Sequence, residues 1–88
     1  FIRHRLASHL AGLRSFQRRF REATGLSPAD WLLAERIGRA KELLETTALP
    51  VERIATACGF GAADTLRHHF RTRLGTSPRA WRARFRTA

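Results

Sequence analysis

An 88-residue chain with 43% hydrophobic and 27% charged residues has the composition of a folded helical protein, enough for one compact unit or two very small ones, and not that of a disordered chain. Seventeen Lys and Arg against seven acids give a formal net charge of +10, and all of the bases but Lys41 are arginine, which points to a polyanion met through bidentate contacts. A single cysteine, Cys58, excludes an internal disulfide and reads as a small buried apolar residue, while the longest apolar run, residues 31–34, excludes a membrane span; with no signal-peptide pattern at the start, a cytoplasmic location is expected.

In chain order, residues 1–10 carry Ile2, Leu6 and Leu10 at four-residue steps, a short predicted helix with Arg3, His4 and Arg5 exposed that Gly12 interrupts. A helix follows over residues 14–24. At 100° per position Leu13, Phe16, Phe20 and Ala23 fall on one face as a core stripe, and Arg14, Gln17, Arg18 and Arg21 fall on the other as a polar comb. Gly25 suits a left-handed helix end, and Ser27-Pro28 is an N-cap followed by a proline at the first helical position.

The longest predicted helix covers residues 28–46, with Leu33, Ile37, Ala40 and Leu44 as its buried stripe, flanked by Trp31, Leu32 and Leu43. Glu35, Glu42 and Glu45 with Arg39 and Lys41 form its solvated face. Pro50 ends the segment. A two-turn helix over residues 51–58 turns Val51, Ile54, Ala55 and Cys58 inward, and Gly59-Phe60-Gly61 makes a tight turn with Phe60 in the core. The helix over residues 62–74 sets Leu66, Phe70 and Leu74 against a comb of Asp64, Arg67, His68 and Arg71, and a last helix runs from Pro78 to about Phe85.

The stretch FQRRFREATGLSPADW at residues 16–31 returns fifty positions later as LRHHFRTRLGTSPRAW at residues 66–81. Both copies hold an apolar residue four places before Phe, then Arg, Gly, Ser-Pro and Trp. Positive charge gathers around them: six bases and one acid in residues 1–26, four bases and no acid in residues 75–88, against three bases and four acids in residues 27–50. A short helix, a Gly-containing turn and a second helix with an outward basic comb is the helix-turn-helix arrangement, which residues 51–74 show cleanly. Arg and Gln are the side chains whose paired donors and acceptors match guanine and adenine edges in the major groove.

The string IATACGFGAADTLRHHFRTRLGTSPRAW, residues 54–81, resembles the second helix-turn-helix of the AraC/XylS family of bacterial transcription regulators, and SFQRRFREATGLSPADWLLAERIGRAKELLE, residues 15–45, resembles the end of its first helix-turn-helix and its linker helix. The resemblance implies an all-α, homeodomain-like fold: two helix-turn-helix subdomains, residues 1–27 and 48–88, joined by a long linker helix, residues 28–47. It implies sequence-specific binding of double-stranded DNA, with recognition helices in successive major-groove segments, as the DNA-binding domain of a bacterial transcription regulator. Carried over by position, the base-contacting candidates are Arg14, Gln17 and Arg18 in the first copy and Asp64, Thr65, Arg67 and His68 in the second. Thr65 alone lies off the comb faces; Arg21 and Arg71 complete the combs and the DNA-binding set. RNA polymerase is the implied protein partner, and an N-terminal sensor or dimerisation domain is expected outside these residues. The wording GFGAADTLRHHFRTRLGTSP is closest to members whose sensor domain resembles glutamine amidotransferases.

Two departures from the family pattern stand out. Fifteen residues ahead of Phe16 are too few for both helices the family places there, so the first subdomain is expected to be shortened or incomplete on its N-terminal side. Ala62-Ala63 stands where a capping Ser is common, leaving Gly61 and Asp64 to start the second recognition helix.

Other chemistry finds little footing. His4, His9, His68 and His69 lack the four-residue spacing of paired helix ligands, so no metal and no cofactor is expected. No Gly-rich phosphate loop or nucleophile–base pair suggests an enzyme. Glu22, Glu52 and Asp64 read as helix-start or positioning residues, Trp31 and Trp81 as core anchors, and Arg79, Arg82, Arg84 and Arg86 as candidates for phosphate contact. The competing function is a cationic amphipathic helical module that binds membranes, RNA or acidic partners, against which the paired caps argue.

Overall fold

Each Gly–x–Ser–Pro string decides its own local geometry in the computed structural model, which describes the backbone of residues 2–86 and the side chains of residues 12–86. Among the described residues there are five helices and no strand: α1 (Ile2–Thr24), α2 (Pro28–Thr46), α3 (Val51–Ala57), α4 (Ala63–Leu74) and α5 (Pro78–Phe85). Gly25 and Gly75 end α1 and α4 at φ 78° and 71°, a left-handed conformation open to glycine at little cost. Their N–H groups donate to the carbonyls of Arg21 and Arg71 at 2.7 and 2.8 Å. The Ser27 and Ser77 hydroxyls then accept from the N–H of Asp30 and Ala80, at 3.2 and 3.0 Å, and so cap α2 and α5.

The chain forms two compact units, residues 1–33 and 34–88, and the boundary falls inside α2, after Leu33. The second unit holds the core. Ile37, Ala40 and Leu44 of α2, Ile54 and Ala55 of α3, Cys58, and Leu66 and Phe70 of α4 are buried, and Pro78 at the start of α5 is buried with them. Leu33, Val51 and Leu74, expected in these stripes, are only half-buried. Phe60 is half-buried against the His69 ring, 6.0 Å between centroids, and does not plug the core. Trp81 stands edge-on to Phe70 at 5.9 Å, with Lys41 Nζ 5.1 Å from its ring centroid. Burial pushes the Cys58 thiol above its ordinary pKa, opposed by the nearby Arg39 guanidinium.

In the first unit two expectations fail. The chain does not break at Gly12: α1 is one helix of 23 residues running through it. Glycine inside a helix costs only about 1 kcal/mol relative to alanine, and no proline or capping residue beside Gly12 adds to that. The stripe expected in the core is also largely open, with Leu13 44% and Phe16 54% exposed and Ala23 exposed; Phe20 alone is half-buried. Among the described residues of this unit the only aromatic to meet the stripe from outside α1 is Trp31, edge-on to Phe20 at 5.8 Å and itself 40% exposed. The side chains of Arg3, His4, Arg5 and His9 lie outside the described residues.

Candidate nucleic-acid interface

The second comb stands on a packed base. Leu66 and Phe70 are fully buried, so α4 is fixed in roll and Asp64, Thr65, Arg67, His68 and Arg71 are all turned out to solvent. No side chain caps the N-terminus of α4 at Ala62, as its apolar identity requires. Asp64, in the first helical turn, complements the positive end of the helix and takes a hydrogen bond from Arg67 Nη1 at 2.9 Å. Arg67 Nη2 lies 3.6 Å from Glu52 Oε1 on α3. The His68 ring leans edge-on to that of His69, 5.2 Å away.

In the first unit Arg14, Gln17, Arg18 and Arg21 are exposed on one face of α1 and, with Ser27, line a shallow depression of about 430 Å³. The four sequence candidates of this copy are therefore neighbours in space. No hydrogen bond or ion pair to another described side chain holds their polar ends. Arg67, by contrast, is engaged by two carboxylates.

The four C-terminal arginines separate into different tasks. Arg82 does not face outward: its Nε donates to the carbonyl of Leu44 at 3.3 Å and its Nη2 to those of Thr47 and Leu49 at 3.2 and 2.6 Å. It thereby satisfies one carbonyl in the last turn of α2 and two in the stretch that follows the helix. Arg84 lies over the Trp81 ring, 5.4 Å from its centroid. Arg79 and Arg86 are exposed and line, with Arg67, Arg82 and Val51, a cleft of about 570 Å³ in the second unit. By sequence Arg82 falls with the phosphate candidates, since its partners are 33 to 38 residues away, beyond any local pattern. Glu52, read from sequence as a helix-start or positioning residue, lies in the first turn of α3, and its approach to Arg67 is not visible in the sequence.

Among the described residues no helix is long and apolar enough to cross a membrane.

Comparison with known proteins agrees with this geometry. A family model described as a helix-turn-helix domain matches residues 8–84. An HTH-type transcriptional regulator of Mycobacterium tuberculosis is 39% identical over 72 residues, which are 82% of this chain and 28% of that protein. The HTH-type transcriptional activator RhaR of Pectobacterium carotovorum is 36% identical over 77 residues, 88% of this chain and 27% of the relative. The chain thus spans little more than a quarter of the length of these relatives. Among solved structures, the DNA-binding domain of the global transcriptional factor AdpA, in complex with a target DNA, superposes with a TM-score of 0.80 at 48% identity, covering 83% of this chain and 66% of that one. An AraC-type regulator of Chromobacterium violaceum gives 0.77 at 30% identity over 82% of this chain and 64% of that one. With the helices, the turns and the family match in agreement, the chain belongs to the AraC-type helix-turn-helix family of DNA-binding domains found in bacterial transcription regulators.

Proposed function

We propose that this chain binds double-stranded DNA sequence-specifically in the major groove, as the DNA-binding part of a bacterial transcription regulator. The observation that carries the reading is the outward comb of α4, raised on a buried base and preceded by the α3 helix and its glycine turn. Arg67 and His68, with Asp64 and Thr65, are the base-reading set of the second unit; Arg14, Gln17 and Arg18 are that of the first. Arg21, Arg71, Arg79 and Arg86 meet phosphates and supply most of the affinity. Arg82 holds the end of α2 and takes no part in DNA contact.

The chain spans only part of its relatives, and we further propose that it works within a longer regulator that carries a sensor or dimerisation domain and engages RNA polymerase. Relatives named as activators support this. The wording around residues 59–78 supports a sensor of the glutamine-amidotransferase-like kind. A DNA partner of this type places the protein in the cytoplasm with the nucleoid. Neither a catalytic nor a metal-dependent step enters the mechanism, which is binding alone.

The salt dependence of binding tests this. With roughly 6 to 10 phosphate contacts, affinity for duplex DNA falls by about three to five orders of magnitude between about 50 and 200 mM salt. Liposome co-sedimentation separates the competing reading: retention on anionic vesicles with weak, salt-insensitive DNA binding would replace this function with a surface-active one.

A further inference from the structure

One guanidinium of the DNA-facing set is held before any DNA arrives. Arg67 projects from α4 with Nη1 on Asp64 at 2.9 Å and Nη2 beside Glu52 at 3.6 Å. The two carboxylates come from different helices, α4 and α3, and approach different nitrogens of one planar fork. All three side chains are about half or more exposed, at 48% for Arg67, 95% for Asp64 and 69% for Glu52, so the pairs contribute little to stability. Arg14, Gln17, Arg18 and Arg21 on α1 have no such holders among the described residues. An arrangement that adds little stability and fixes the direction of a base-reading group calls for another role.

We propose that Glu52 is a positioning residue for base selection by Arg67: it holds the fork in one orientation and discourages its diversion to phosphate. The proposal rests on the reading that Arg67 contacts a base. A free arginine has several rotatable bonds and is drawn to the nearest phosphate on any duplex, which adds affinity without discrimination. Held from two sides, the fork keeps donors to spare for a base edge and forgoes the entropy cost of finding it. Two exposed carboxylates beside it also repel a charged phosphate approaching by the same route more strongly than the neutral acceptor edge of guanine. Specificity rises through a penalty on the wrong mode as well as a gain in the right one.

The test is a pair of titrations, one on a duplex selected by the wild-type chain from a random pool and one on random duplex, for Glu52→Gln, Arg67→Ala and the double variant, with helical content checked by circular dichroism. Glu52→Gln is expected to bind random duplex more tightly and to lose about three- to tenfold in the selected-over-random ratio, part of the roughly 5- to 150-fold that one bidentate arginine–base contact supplies. In the Arg67→Ala background the same substitution leaves the ratio unchanged, because no fork remains to be positioned. Equal tightening on both duplexes in the wild-type background, or an undiminished ratio loss in the Arg67→Ala background, would overturn the proposal and leave Glu52 as a simple negative charge. If Arg67→Ala itself leaves the ratio intact, the base-reading role of Arg67 is wrong and the proposal falls with it, a result distinct from failure of Glu52 alone.

Discussion

The same sixteen-residue unit is built twice and supported in two different ways. Its local frame is nearly identical in both copies: a glycine at φ 78° or 71°, a serine cap at 3.2 or 3.0 Å, and a phenylalanine edge-on to a tryptophan at 5.8 or 5.9 Å. Yet Leu66 is fully buried while its counterpart Phe16 is 54% exposed, and Phe70 is fully buried where its counterpart Phe20 is only half-buried. In the second copy α2, α3 and α5 contribute buried residues around α4; in the first, the described residues offer the stripe only the start of α2. Local sequence is thus sufficient to set turns and caps, and insufficient to make a core. The position after each tryptophan shows the same contrast: Arg82 ties three carbonyls together, whereas its counterpart Leu32 is 43% exposed.

Substitutions in matched pairs sharpen this difference. Leu66→Ala should cost about 2 to 5 kcal/mol, a large part of the stability of so small a domain, and Phe16→Ala at the equivalent position less than about 1 kcal/mol, in denaturant titrations followed by circular dichroism. Equal losses would mean that the two cores are equally packed. Arg82→Ala should cost about 1.5 to 3 kcal/mol by leaving carbonyls of Leu44, Thr47 and Leu49 without their charged donor, with Leu32→Ala near neutral in the same assay.

The reading surfaces give the next contrast. Arg18→Ala and Arg67→Ala should each lose about 1 to 3 kcal/mol on a selected duplex and little on random DNA, measured by fluorescence anisotropy. A uniform loss on both duplexes would demote either residue to a phosphate contact. The caps are smaller effects: Ser77→Ala should destabilise by about 1 kcal/mol and Ser27→Ala by about 0.5 kcal/mol, the lesser effect following from its longer bond and from the exposed start of α2. A larger cost at Ser27 would break the account of the first copy as the weaker frame.

What the sequence made legible is the part governed by short-range physics. Gly–x–Ser–Pro punctuation placed α2, α4 and α5 within a residue or so of where they lie, and four-residue spacing found Leu66 and Phe70 as core. Periodicity names the apolar face of α1 but carries no information on what covers it, so Leu13 and Phe16 were expected inside. Gly12 signals a break in the sequence, yet its cost of about 1 kcal/mol is too small to interrupt α1. Within the site, the comb residues were legible because charge and spacing are local properties. The capture of Arg67 by Glu52 and of three backbone carbonyls by Arg82 depends on tertiary approach, which one sequence does not display.

The central claim is that both copies read DNA, and the most direct measurement is selection of duplexes from a random-sequence pool by this chain at moderate salt, followed by sequencing. Two short enriched blocks about 10 base pairs apart are expected, one erased by Arg18→Ala and the other by Arg67→Ala. A single block erased by Arg67→Ala and indifferent to Arg18→Ala would contradict the claim for the first copy, and no enrichment at all would contradict it for both.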